Sequence, residues 1–171
     1  MDLRPTADRL RETLFNVLGA GNPEAFEGQV WLDLCAGTGA VGIEALSRGA
    51  ARVYFVESSD EAAGLIRRNL DSLAVESGVE VMREDVIRAL RTLAARNVAA
   101  NFIFLDPPYR IEKVYTQVLQ FLSRSSPPAT ETIVIAEHDK RFDPGDAFAS
   151  LQRYRKLEQG DAALSFYRFV P

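Results

Sequence analysis

A doubly wound, mostly parallel α/β sheet with an antiparallel hairpin at its carboxyl-terminal edge is the fold class this sequence predicts, on three observations. Short apolar runs alternate with amphipathic stretches of helical period from Val30 to Ala136. The first run, Val30 to Leu34, breaks into Cys35-Ala36-Gly37-Thr38-Gly39-Ala40-Val41-Gly42, a G-x-G-x-x-G turn of the kind that joins a strand to a helix in open α/β sheets. The last two runs, Ser150 to Leu157 and Leu164 to Val170, flank Gln159-Gly160-Asp161 and read as a closing hairpin.

The elements follow in order. Arg4-Pro5-Thr6 is an extended lead-in with Thr6 as N-cap of a helix to about Leu18, whose apolar face is Leu10, Leu14, Val17 and Leu18. Gly19 and Gly21 stop it. After the glycine turn a helix spans Ala40 to Ser47, then a short apolar strand from Arg52 to Glu57 ends in that acid. Ser58 and Glu61 form a capping box for a helix through about Leu73. Val79 to Met82 is a third strand, and Asp85 precedes a helix from Val86 to Ala95 striped by Ile87, Leu90 and Leu93. The strand Asn101 to Leu105 is nearly continuous in apolar side chains, as a strand buried on both faces must be. It runs into Asp106-Pro107-Pro108-Tyr109. A helix from Glu112 to Leu122, the breaker Ser125-Ser126-Pro127-Pro128 and a strand from Thr132 to Ala136 complete the alternation. His138, in Glu137-His138-Asp139-Lys140, reads as a surface-loop histidine, because no nucleophile–base arrangement accompanies it.

The bulk numbers exclude several classes. A chain of 171 residues suits one domain, with residues 1–20 as a helical lead-in packed on it. One cysteine, Cys35, rules out an intrachain disulfide framework, and with one histidine no Cys/His zinc site is expected. No apolar run approaches a membrane span and the amino end lacks signal-peptide character, so a cytoplasmic protein is the expectation. The net charge of −4 opposes a uniformly basic nucleic-acid binder. A local patch stays open, since 17 of the 20 cations are arginine, the side chain suited to phosphate forks. Arg4, Arg9 and Arg11 are either a solvated face or a contact for phosphate or a cofactor carboxylate.

The glycine turn carries a ligand preference. Asp33 lies four residues before Gly37, at the end of the strand, where a pyrophosphate would meet a charge of its own sign. S-adenosylmethionine has an ammonium and a sulfonium and no phosphate, so an acid there attracts it. The turn residues Ala36, Gly37, Thr38 and Gly39 would lie against this donor. Glu57 falls 18 residues beyond Gly39, near the offset at which an acid meets ribose hydroxyls; the bland reading is a solvated strand end. Asp85 is equally an N-cap or an acceptor for an adenine amino group.

Asp106-Pro107-Pro108-Tyr109 supplies the second site. Prolines donate no backbone hydrogen bond and hold the chain extended, leaving carbonyls and the Asp106 carboxylate as stiff acceptors with an aromatic ring beside them. That set suits a flat base bearing an exocyclic amine. Acceptors on both amine hydrogens favour the pyramidal nitrogen that attacks a sulfonium methyl, without metal or covalent intermediate.

Asp33 with its glycine turn, Glu57 and DPPY, in this order, resemble class I S-adenosylmethionine-dependent methyltransferases that act on amino groups. RPTADRLRETLFNVL and DLCAGTGAVGIEALSRGA resemble the RsmD-type family of bacterial small-subunit ribosomal RNA guanine-N(2) methyltransferases, over essentially the whole chain from Arg4. The resemblance implies a seven-stranded sheet and transfer to a guanine amino group within a small ribosomal subunit or its assembly intermediate. It implies that Asp33, Gly37 and Gly39 hold the methionine end of the donor, Glu57 its ribose and Asp85 its adenine. Asp106 to Tyr109 would hold the base. It also implies a basic, strand-forming segment ahead of the RPT stretch, at which this sequence almost begins. Alternatives are an adenine amino methyltransferase on DNA or RNA, a nicotinamide-dependent oxidoreductase using the same turn, and a protein that binds donor or RNA without catalysis.

Overall fold

The structure, a computed structural model, describes residues 5–125 and 131–171, excepting the side chains of residues 5, 6 and 109. In chain order it contains α1 (Pro5–Gly19), β1 (Val30–Leu34), α2 (Ala40–Ser47), β2 (Arg52–Val56), α3 (Asp60–Ser72), β3 (Val79–Met82), α4 (Val86–Ala95) and β4 (Phe102–Leu105). A 3-10 turn (Pro108–Arg110), α5 (Glu112–Arg124), β5 (Ile133–Asp139), β6 (Ala147–Phe148), β7 (Leu151–Gln159) and β8 (Ala162–Phe169) follow.

All the strands join one sheet in the order β3-β2-β1-β4-β5-β8-β7-β6. The first five in that order are parallel, and β8, β7 and β6 add antiparallel to the β5 edge. The chain winds outward from β1 to β3 and then crosses back to lay β4 on the other side of β1. The loops leaving β1 and β4 therefore part over a crevice at their carboxyl ends, the place where such sheets take ligands.

Period-two alternation sorts the core onto two faces. Leu32, Leu34, Ile103, Leu105, Val134 and Ala136 pack with Leu90, Leu93, Val118 and Leu119 of α4 and α5. Trp31, Val53, Phe55, Phe104 and Ile135 pack on the other face with Leu10, Leu14 and Phe15 of α1, Ala45 of α2 and Ile66 of α3. α1 is held by aromatic contact: Phe15 stacks on Trp31 at 5.2 Å between centroids, and Trp31 on Phe102 at 4.7 Å. Thr13 Oγ1 also donates to Gln159 Oε1 at 2.7 Å, tying α1 to the far hairpin.

Several expectations are corrected. The sheet has eight strands rather than seven, because the chain doubles back at the edge and pairs Ala147 and Phe148 with Gln152 and Leu151. α1 starts at Pro5, so Thr6 is inside the helix; proline is favoured at a helix's first position, where its missing N–H costs nothing. Ser59, not Ser58, caps α3, accepting from Ala62 N at 3.2 Å. α5 runs on to Arg124, and residues 126–128 of the expected breaker lie outside the described residues. β5 continues to Asp139 because β8 pairs with it as far as Ala162. His138 is thus a fully buried strand residue, its Nε2 2.8 Å from Ser165 Oγ, and not a surface-loop histidine. Among the described residues no helix is long and apolar enough to cross a membrane.

Candidate active site

Strand alternation puts four acids on the α1–α2–α3 face at the carboxyl edge of the sheet. Asp33 follows Trp31 by two residues on β1, and Glu57 follows Phe55 by two just past β2. Asp106 likewise follows Phe104, and Glu137 follows Ile135. All four line one cavity of about 870 Å³, closed by the glycine turn on one side and the double-proline corner on the other. Cationic side chains reach it as well: Arg11 from α1, Arg110 from the corner and Arg141 from the turn after β5.

The glycine turn is built around these acids. Asp33 is 2% exposed, and its Oδ2 accepts the N–H of Gly42 at 3.0 Å. Burial pushes its carboxyl up to about 8, against the pull of that N–H and with a further push from Glu57 and Glu137. Glu57 Oε2 accepts from Gly37 N at 2.9 Å and its Oε1 from Ser59 N at 3.2 Å. The Gly37 N–H that could cradle a phosphate is therefore already given to a carboxylate. Asn69 Nδ2 holds the Thr38 carbonyl at 3.0 Å. A Cβ built on Gly37 meets nothing within 4 Å, so its face is open to the cavity. One on Gly42 would lie 2.3 Å from Phe55 Cε1, which is the close helix–strand packing expected of the third glycine. One on Gly39, whose φ is 81°, would press on Ile66 and Phe55 at 3.3 Å, so a side chain there would meet the core.

The double-proline corner differs from a simply extended segment. Pro107 is extended, with φ −58° and ψ 146°, but Pro108 opens the 3-10 turn. The Pro107 carbonyl accepts from Arg110 N at 2.9 Å, so one of its lone pairs is already in use. The Asp106 carboxyl is thereby left as the main acceptor facing the cavity. Burial raises it well above the usual carboxylate range, with Glu137 adding to the push and Arg110 opposing it. Two non-glycine residues beside the cavity are left-handed, Cys35 at φ 58° and Arg110 at φ 49°. Such backbone costs about 1–3 kcal/mol and persists where the surroundings hold it, most often at functional sites.

The description "Conserved hypothetical protein 95" fits residues 1–168 of this chain. This protein belongs to that family. Its sequence is 34% identical over 165 residues to YlbH of Bacillus subtilis (strain 168), covering 96% of this chain and 87% of that one. It is 31% identical over 166 residues to the ribosomal RNA small subunit methyltransferase D of Escherichia coli (strain K12), covering 97% and 79%. A solved RNA methyltransferase from Salinibacter ruber, in complex with S-adenosyl-L-homocysteine, shares the fold with a TM-score of 0.72 at 19% identity, covering 98% of this chain and 94% of that one.

In this conserved hypothetical protein 95 chain the expected residues converge only in part. Asp33, Ala36, Gly37, Thr38, Glu57, Asp106, Pro107 and Pro108 line the one cavity. Asp85 does not; it caps α4, accepting from Ile87 N at 3.1 Å and Arg88 N at 3.4 Å, and opens on a separate cleft with Arg91 and Gln117. Arg11 lines the cavity while paired with Asp8 at 3.3 Å and Glu44 at 3.7 Å, and Arg9 is exposed. Arg4 and the Tyr109 side chain lie outside the described residues. Sequence reasoning passed over Glu137, Arg110 and Arg141. The signal for Glu137 is present in the sequence: like Glu57 and Asp106, it is an acid that directly follows an apolar run.

Proposed function

We propose that this protein transfers a methyl group from S-adenosyl-L-methionine to the exocyclic amino group of a guanine in small-subunit ribosomal RNA. The observation that carries the reading is the convergence of buried Asp33 and Glu57 with the Asp106 corner on a single cavity. The donor set fits the methyl carrier: acids that favour a cation, an open face at Gly37, and a turn N–H already committed to Glu57. That last feature disfavours a pyrophosphate, whose oxygens need free turn N–H groups, and hence the nicotinamide alternative.

Asp33 would hold the cationic methionine end against the turn Ala36 to Gly39, and Glu57 the ribose hydroxyls. Asp85, exposed at the start of α4, would take the adenine amino group. When bound, the donor supplies an electrophilic methyl on a sulfonium. Asp106 accepts a hydrogen bond from the target amine and keeps its nitrogen lone pair out of the ring, Pro107 and Pro108 fix the corner, and Tyr109 stacks on the base. Arg4, Arg9, Arg11 and Arg141 would meet RNA phosphates. The substrate would be a small ribosomal subunit or its assembly intermediate, in the cytoplasm. The family relationship to the Escherichia coli methyltransferase supports the RNA over a DNA substrate.

The test is incubation with methyl-labelled donor and undermethylated small subunits, followed by mapping of the label. Label at a guanine N2 is the expected result; label on adenine establishes the alternative base, and none refutes the reading. Asp106→Ala should lower kcat by about 100-fold or more while donor affinity in calorimetry stays near wild type.

A further inference from the structure

The corner that carries Asp106 does little to orient its side chain. Pro107 and Pro108 have no N–H to offer, and Asp106's own N–H reaches Leu34 O only at 3.5 Å. The neighbouring strand supplies what is missing. Parallel pairing of Leu105 with Ala136 sets the next two residues, Asp106 and Glu137, side by side at the sheet edge. Both carboxyl groups line the same cavity, and Glu137 pushes the Asp106 carboxyl up. Arg110 completes the set, with a terminal guanidinium nitrogen 3.1 Å from Glu137 Oε2 and its Nε 3.9 Å from Asp106 Oδ1. The Tyr115 hydroxyl donates to the Glu137 carbonyl and fixes the strand end beneath it.

We propose that Glu137, clamped by Arg110, is the positioning residue for Asp106: it takes one carboxyl oxygen of Asp106 into a shared pair and leaves the other for the target amine. The proposal rests on the methyl-transfer reading of this cavity. In such a pair two neighbouring carboxyls would hold one proton between them, and burial raises both above the ordinary range. The other groups facing the pair are Asp33 from β1, Cys35 beyond it, Tyr115 from α5 and Arg110; of these, Arg110 alone favours the charged carboxylates. The pair has a use beyond orientation. As the amine nitrogen's lone pair forms the N–C bond, the C–S bond pair stays on sulfur and the nitrogen must shed one N–H proton. A pair with one proton on two carboxyls has room for it, and passes it to solvent afterwards.

Glu137→Gln keeps the size and hydrogen-bonding reach but removes the charge. Carbon-detected NMR titration of the Asp106 carboxyl in the free protein should show its midpoint falling by about one unit or more in Glu137→Gln, since Glu137 pushes it up in the wild type. In the RNA assay the same variant should keep donor affinity and KM within about threefold, lose about tenfold or more in kcat, and show the acid limb of its pH–rate profile moved to lower pH. A wild-type kcat with an unshifted Asp106 titration overturns the proposal. If the wild type transfers no methyl to RNA, the functional reading fails. The NMR titration still decides the pairing in that case: coupled midpoints keep it and independent ones refute it.

Discussion

Asp33 owes its chemistry to where its side chain is buried. Burial keeps water away from a carboxyl that accepts the Gly42 N–H, and the free protein therefore favours its protonated form near neutral pH. A cationic ligand beside it reverses that balance. Donor binding at pH 7 should release protons, seen as binding enthalpies that differ between phosphate and Tris buffers by their ionisation heats. Asp33→Asn keeps an oxygen for Gly42 and removes the charge. It should weaken donor binding by about tenfold or more, the equivalent of one pKa unit of differential interaction. Cys35, two residues on, is pushed up to about 12 by burial and the surrounding acids, so its thiol stays unreactive despite its place on the cavity wall.

At the scale of elements, the glycine turn divides its labour. Gly37 leaves space for a ligand, Gly39 lies on Ile66 and Phe55, and Gly42 lets α2 settle onto β2. Gly42→Ala puts a methyl into the Phe55 ring and should destabilise by about 1–3 kcal/mol in urea unfolding, as overpacking does. Gly39→Val acts the same way, since its side chain would point into the core from a backbone φ of 81°, and the urea midpoint should fall likewise. The start of α4 offers a cleaner separation of roles. Asp85→Ala removes a cap and should cost about 1 kcal/mol of stability. Donor affinity in calorimetry should fall in the same variant, and a wild-type value removes Asp85 from the adenine site.

For the molecule as a whole, the acids lining the cavity tie stability to pH. Asp33 is raised from 3.8 to about 8 in the folded state, and Asp106 and Glu137 are raised with it. The folded state thus binds more protons than the unfolded chain above about pH 4, and stability from these groups is lost as pH rises through 8. His138, lowered by burial, works in the opposite direction only below its ordinary value near 6.5. Asp139 and Asp143, both lowered by arginine partners, matter only in acid. Between pH 6.5 and 8 the urea midpoint should therefore fall, and Asp33→Asn should flatten that slope.

Much of this architecture was legible along the chain. β1, α2, β3 and α4 have the bounds their periodicity and caps predict, because apolar period, glycine punctuation and an N-cap aspartate are local signals. The two motifs that line the cavity were legible for the same reason: each is a strand end with its cavity-lining residues contiguous in the chain. What the linear order does not contain is who stands beside whom. Ser58 and Ser59 are equally good caps until the path of β2 chooses one, and His138 looks like a loop residue until β8 covers it. Glu137 lies 31 positions from Asp106 in sequence and becomes its partner only when Leu105 pairs with Ala136. The sequence by itself determined the order of strands and helices, the glycine turn and the acids at the strand ends. The tertiary structure alone decided which of those acids meet, because hydrogen-bond and charge contacts depend on strand register and face, and those arise only when the sheet assembles.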